Sequence, residues 1–199
     1  EIYTTQGPER IFVRRHLTAA LFSDAMADAS PLAETIAHYA DEKMFSAIAE
    51  EYRKGRLLMI GTTDLDAQRS VIWNIGALAD SGHPKALDLF RKVLLASASI
   101  PGAFQPVMID IEIDGVRHQE MHVDGGTVAQ LFLYPGSLDP SLLPGRSRQT
   151  AYIIRNARLH PEHAEVERRT ISIAGRAIGT MLQSSGYSDV VQAYFLTKR

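Results

Sequence analysis

Four short stretches of this 199-residue chain hold residue types able to do chemistry. The first is Val123-Asp124-Gly125-Gly126. It sets a carboxylate at the end of a predicted strand, before two residues whose missing side chains let another backbone approach closely. Ligands and catalytic groups gather at such strand ends in open α/β sheets. Asp-Gly is also a favoured turn, so the same residues suit a plain connection. The second stretch is Ala96-Ser97-Ala98-Ser99-Ile100-Pro101-Gly102. Its small residues form either a wall that substrate passes closely or a helix end running into a turn.

The third stretch alternates His118, Glu120, His122 and Asp124. The period of a strand puts all four on one face. Two imidazoles with carboxylates beside them could ligate a divalent metal. They better suit the solvent face of an edge hairpin, with Met121 and Val123 on the other face. His160-Pro161-Glu162-His163 poses the same choice in a predicted loop. The fourth is Gly175-Arg176-Ala177-Ile178-Gly179, two glycines four apart on a predicted helix, a spacing that permits close helix packing. Neither a glycine-rich strand-to-helix turn nor a Gly-Lys-Ser/Thr occurs, so no phosphate loop is expected.

The elements that must position these residues follow from periodicity. Residues 17–53 read as helices. Ser30-Pro31 resembles an N-cap with Pro at the first helical position, and Met44, Ile48 and Tyr52 recur along one face. Gly55, after Arg53 and Lys54, closes the second helix. Leu57–Ile60 is a short apolar run bounded by Gly61-Thr62-Thr63-Asp64, which predicts a strand buried on both faces. Val71–Ile75 predicts another strand. His83-Pro84 opens a helix with Leu87, Phe90 and Leu94 on one face. Val107–Ile113 and Val116–Asp124 flank Asp114-Gly115, a strong hairpin signal. A loop is expected over 135–150, then a strand at Ala151–Ile154. A long amphipathic helix should follow, with Ile171, Ala174, Ile178, Met181 and Ser185 in one stripe. Val190–Phe195 predicts a last short strand. Alternating strands and helices predict an α/β domain with a mostly parallel sheet.

Composition narrows the function. Hydrophobic residues are 45% and charged residues 22%, as in an ordinary globular protein. The net charge is −2 and the pI about 6.4, which weighs against a protein that neutralises nucleic-acid phosphates. Cysteine is absent, so disulfides, thiolate zinc sites and cysteine nucleophiles are excluded for this chain. That absence leaves the compartment open. No apolar run approaches the roughly 20 residues that span a bilayer. The start, Glu1-Ile2-Tyr3-Thr4, carries no initiator Met and no signal pattern, so a mature product or fragment is expected.

Three stretches, in order, resemble the patatin-like phospholipase family. They are Gly61-Thr62-Thr63-Asp64-Leu65-Asp66, then Ala96 to Val107 with its Ile100-Pro101 and Phe104-Gln105-Pro106, then Val123-Asp124-Gly125-Gly126. The resemblance covers about residues 55–135. It implies a three-layer α/β/α domain, incomplete at its N-terminus, spanning 1–199 as a single portion. That portion comprises a helical segment at 1–56, the motif-bearing core at 57–135, and a loop, strand and helix at 136–199. It implies hydrolysis of lipid acyl esters by a Ser-Asp dyad, with Asp124 as the base and Gly125 and Gly126 as its motif. No cofactor and no metal are implied. The expected partners are a lipid or acyl-ester substrate and the segment carrying the nucleophile. Peripheral membrane contact and no nucleic acid are expected.

The family's nucleophile lies in a Gly-x-Ser-x-Gly elbow, and this chain has none. Gly145-Arg146-Ser147 and Gly186-Tyr187-Ser188 are half matches, and each precedes a predicted strand where an elbow must follow one. The family's glycine-rich oxyanion segment is missing as well. Gln105 replaces a Pro of the family block, and Gln130 stands where many members have Asn-Pro. The expectation is a chain downstream of its nucleophile, inactive alone. Two alternatives remain: an inactive relative that binds lipid or a partner, and a metal-dependent hydrolase built on His118, His122 and Asp124.

Overall fold

The computed structural model describes residues 13–14, 25–132, 150–156, 158 and 160–197. Two compact units divide at Thr127 and Val128. The first, Glu1–Thr127, contains the three motif stretches. It opens with a two-stranded antiparallel ribbon, β1 (Val13–Arg14) and β2 (Ala27–Asp28). The expected helix from residue 17 falls partly outside the described residues, and Met26 is a bend and Ala27–Asp28 a strand, none of them helical. Met26 and Ala27 donate their backbone N–H groups to the carbonyls of Gly102 and Ala103, at 3.2 and 3.0 Å. That pairing ties the ribbon to the Ile-Pro-Gly block.

Helix α1 (Ser30–Tyr39) follows, with Ala29 in the N-cap position and Ser30 already inside the helix. The boundary is thus one residue earlier than Ser30-Pro31 predicts, because Asp28 accepts both the N–H and the O–H of Ser30. Helix α2 (Glu42–Arg53) is capped by Asp41, whose carboxylate accepts the Met44 N–H at 2.7 Å. Gly55, at φ +90°, ends it as expected. Its N–H reaches the Tyr52 carbonyl and that of Arg56 reaches Glu51, which is the paired Schellman arrangement.

Strand β3 (Met59–Asp64) begins later and runs further than the apolar run suggests. Leu57 and Leu58 are exposed, whereas Thr62, Thr63 and Asp64 are buried. A four-residue turn then leads straight back into β4 (Arg69–Asn74). Asp64 builds this turn by accepting the N–H groups of Asp66 and Ala67 at 3.0 and 3.1 Å. Asn74 ends β4 and caps α3 (Ile75–Asp80), so Ile75 starts a helix and does not finish a strand. Helix α4 (Ala86–Ser97) precedes β5 (Val107–Ile113) and β6 (Val116–Asp124), which have the predicted bounds. Asp114 and Gly115 take φ values of 52° and 77°, the left-handed pair that a two-residue hairpin turn needs.

The sheet order is β4-β3-β6-β5, and every neighbouring pair is antiparallel. The fold is mixed α/β, but the expected mostly parallel sheet is wrong. The alternation of strands and helices suggests crossovers, yet both β3–β4 and β5–β6 are hairpins. Asp64 and Asp114-Gly115 reverse the chain within a few residues, leaving no helical crossover inside either pair.

One face of the sheet is helix-covered. Ile60, Trp73, Val107, Ile109 and Ile111 pack with Ile75, Phe90 and Val93, and the Phe45 and Phe90 rings stack 5.4 Å apart. Burial of this apolar surface stabilises the unit, by about 1.5–3 kcal/mol for each fully buried large side chain.

The second unit, Val128–Arg199, is described by α5 (Thr170–Thr197), a 28-residue helix, and by the segments before it. The strand predicted at Ala151–Ile154 is not formed, and Val190–Phe195 lies inside α5. From Tyr187 to Thr197 no Gly or Pro interrupts the helix, so the β-branched Val190-Val191 pair does not break it. Ile171, Ile178 and Met181 of the expected stripe are exposed. A Cβ at Gly175 or Gly179 would meet nothing within 4 Å, so the close packing predicted there is absent among the described residues. No helix among the described residues is long and apolar enough to cross a membrane.

Beyond β6 the chain enters a 3₁₀ turn, Gly125–Thr127. Gly125 is required there for proximity and not for its dihedrals. A Cβ at this position would lie 2.6 Å from the Gly61 carbonyl oxygen and 3.2 Å from the Thr62 nitrogen, both backbone atoms of β3. Backbone cannot swing aside as a side chain can. Gly125→Ala should therefore destabilise the unit by about 1–3 kcal/mol, the usual cost of overpacking. A thermal melt checks this; an unchanged melting temperature would show that the turn is free to shift.

Candidate active site

The three motif stretches meet at Asp124. It is the last residue of β6, and its partner across the ladder is Thr62 of β3. The Asp124 N–H donates to the Ser99 carbonyl at 2.9 Å, which brings in the small-residue block at the end of α4. The Thr63 hydroxyl donates to the Asp124 carbonyl at 3.0 Å, which holds the strand end from the β3 side. Ser99 is itself buried, and its hydroxyl donates to the Leu95 carbonyl at 2.8 Å.

The Asp124 side chain is half-buried. Oδ1 accepts the Gly126 N–H at 2.7 Å. Among the described residues Oδ2 accepts no hydrogen bond. Burial pushes the carboxyl above its ordinary range, and the Gly126 N–H offsets part of that rise. Gly126 thus orients one oxygen while the other stays available. A carboxylate that is harder to ionise is a stronger base once ionised, which suits proton abstraction near neutral pH.

The alternating row on β6 does not behave as a solvent face. His118, near the hairpin tip, is exposed, but His122 at the strand root is fully buried. The predicted polar face therefore turns into the helix-covered core as the strand approaches β3. His122 Nδ1 lies 3.0 Å from Thr62 Oγ1, and His122 Nε2 lies 3.2 Å from Glu120 Oε2. Trp73 Nε1 donates to the same Thr62 hydroxyl at 2.8 Å. An indole N–H can only donate, so Thr62 accepts it. An ionised Glu120 carboxylate can only accept, so Nε2 donates to it, and the Nδ1 of the neutral ring then accepts the Thr62 hydroxyl proton. The imidazole proton then sits on Nε2, facing the Glu120 carboxylate.

Hydroxyl, imidazole and carboxylate stand in the order of a catalytic triad. Thr62 and His122 are both fully buried, however, and Thr62 is already engaged by Trp73. The arrangement is a satisfied polar core, not a substrate site. Among the described residues no group of three or more His, Cys, Asp or Glu side chains is placed to hold a metal ion. Both nitrogens of His122 are committed, and His118 stands apart at the exposed end of the strand. His160 and His163 are exposed. Ser147 lies outside the described residues. Ser188 sits within α5, where its hydroxyl bonds the Ser184 carbonyl, so it occupies no strand-to-helix elbow.

Sequence reasoning singles out Asp124, Gly125 and Gly126; it includes Thr62 and Thr63 in the Gly61–Asp66 stretch without giving either a role, and places Trp73 only as part of a strand. Trp73 carries the one available signal, because an indole N–H on a sheet face that helices cover requires an acceptor. No protein-family model and no curated protein matches the chain.

The raised pKa has a sign that stability measurements can read. The folded protein holds the Asp124 proton more tightly than the unfolded chain does. The resulting stability is present in full below the ordinary aspartate value of about 3.9 and is lost as pH rises through the folded value. Asp124→Asn carries no ionisable group there. The variant should melt higher than wild type at neutral pH, and the difference should vanish as pH falls below the aspartate range. A gain that persists unchanged at low pH would rule out desolvation as its cause.

Proposed function

We propose that this chain supplies the general base of a patatin-like serine acyl hydrolase acting on lipid acyl esters. Asp124 is the base, and the serine lies outside these residues. The supporting observation is the junction at Asp124, where the three stretches carrying the resemblance converge on one half-buried carboxylate with a free oxygen. The three-layer α/β/α arrangement of that family, with its peripheral contact to a lipid surface, belongs to the same proposal.

The chemistry follows from the carboxylate. A serine hydroxyl is a weak nucleophile until its proton is taken. As the serine oxygen bonds the ester carbonyl carbon, its proton passes to Asp124 Oδ2. The acyl–oxygen bond of the ester then breaks, and the same proton moves from Asp124 to the leaving alcohol. Water repeats the sequence to release the fatty acid, giving its proton to Asp124 and regenerating the serine. One carboxylate thus serves both half-reactions, and a neighbouring histidine is not needed. Gly126 N–H keeps Oδ1 fixed throughout, so that Oδ2 alone exchanges the proton.

The test uses the longer protein that carries the serine. Asp124→Asn keeps the size and the Gly126 contact but cannot accept a proton. General-base catalysis contributes about 10²–10⁴-fold, so turnover should fall at least about a hundredfold while the Michaelis constant stays near its original value. Near-normal turnover would reduce Asp124 to a turn residue and remove the dyad.

A further inference from the structure

We propose that His122 is a positioning residue for Asp124, acting through a ring of side chains that fixes how β6 lies against β3. This inference rests on Asp124 being the base of the preceding section. The ring starts at Trp73 on β4, which donates to Thr62 on β3 at 2.8 Å. Thr62 meets His122 on β6 at 3.0 Å, and His122 meets Glu120 on the same strand at 3.2 Å. Arg69 on β4 closes it, lying 3.5 Å from Glu120 and 3.4 Å from Asp64 at the end of β3. Three strands are therefore joined through side chains as well as through their backbones.

The joint is needed because the backbone ladder there is short. Strands β3 and β6 pair over three residues, Thr62 with Asp124, Thr63 with Val123 and Asp64 with His122. By contrast β5 and β6 pair over seven. Slipping β6 by one residue would turn Asp124 to the opposite face and take its amide away from the Ser99 carbonyl. The same slip would pull His122 away from Thr62 and leave two buried polar groups, the Thr62 hydroxyl proton and His122 Nδ1, without their partners. Desolvated groups of this kind are expensive to orphan, so the ring penalises every register but one.

The bonds also have direction. Trp73 donates to Thr62, Thr62 donates to His122, and His122 donates to Glu120, which Arg69 faces from the solvent side. Each donor is matched to one acceptor, so a glutamine at 122 cannot occupy the same path. Arg69 is largely exposed, and its ion pairs contribute little by themselves. The fixing power lies in the buried Thr62–His122 pair, with half-buried Trp73 behind it.

The test reads the position of Asp124 and not activity, using the 199-residue chain. Carbon-13 NMR follows the Asp124 carboxyl across pH, and hydrogen exchange follows its amide, which is bonded to Ser99. In His122→Gln the carboxyl should titrate closer to an ordinary aspartate. Its amide should exchange faster by about tenfold or more, the factor implied by losing one buried partner. If that variant fails to fold, Thr62→Val and Thr62→Ser decide the matter. Valine should reproduce both changes, and serine, which keeps the hydroxyl, should restore both to wild type. An Asp124 titration and exchange rate unaffected by His122→Gln or Thr62→Val would overturn the proposal and leave His122 as a packing residue. Because neither readout needs turnover, this outcome is separate from whether Asp124 is a base.

Discussion

Three residue pairs between β3 and β6 hold this structure's functional end together. The two hairpins, β3–β4 and β5–β6, each close through a local turn. Only the pairing of Thr62, Thr63 and Asp64 with Asp124, Val123 and His122 makes them one sheet. That contact is between residues about 60 apart in sequence, so it carries a substantial loop-closure cost. It is compensated by burial, since all three β3 residues and both His122 and Val123 are fully enclosed.

The remaining features serve this seam. Gly125 lets the chain leave β6 directly against the β3 backbone, and Ser99 anchors the Asp124 amide from the end of α4. Asp66, in the turn after β3, accepts the Met121 N–H at 2.7 Å, and the Leu65 N–H reaches the Met121 carbonyl at 2.9 Å. These two bonds extend the seam past the last formal ladder pair. The helices contribute from one side, with Phe90 and Val93 of α4 pressed on the apolar half of the same sheet face. A carboxylate placed at the end of such a seam is rigid in its backbone and only half screened from water, conditions that raise its basicity without freezing its free oxygen.

Much of this was legible in the sequence where the signal is local. Asp114-Gly115 marks its hairpin because left-handed dihedrals favour few residue types, and Gly55 marks the end of α2 for the same reason. Strand direction was not legible. Leu57–Ile60 and Val71–Ile75 look like two buried parallel strands, and only the Asx turn made by Asp64 shows that they fold back on each other. The last helix defeated local propensity altogether: Val190-Val191 and Tyr194-Phe195 favour strand, yet they continue a helix begun twenty residues earlier. At the site, Asp124 was visible from residue type and spacing. The burial of His122 was not, because alternation along a strand says which residues share a face and nothing about what covers that face.

The proposed dyad requires that Asp124 activate a serine, and the most direct measurement is the rate of that serine's own reaction. A fluorophosphonate reacts with an activated serine without depending on substrate binding or product release. In the longer, nucleophile-bearing protein that the proposal requires, wild type should be labelled at a rate that rises with pH as Asp124 loses its proton, with a midpoint above the ordinary aspartate value. Asp124→Asn should be labelled at least about a hundredfold more slowly, the lower range for a lost general base, and should show no such midpoint. Equal labelling rates in the two proteins would contradict the assignment of Asp124 as the base.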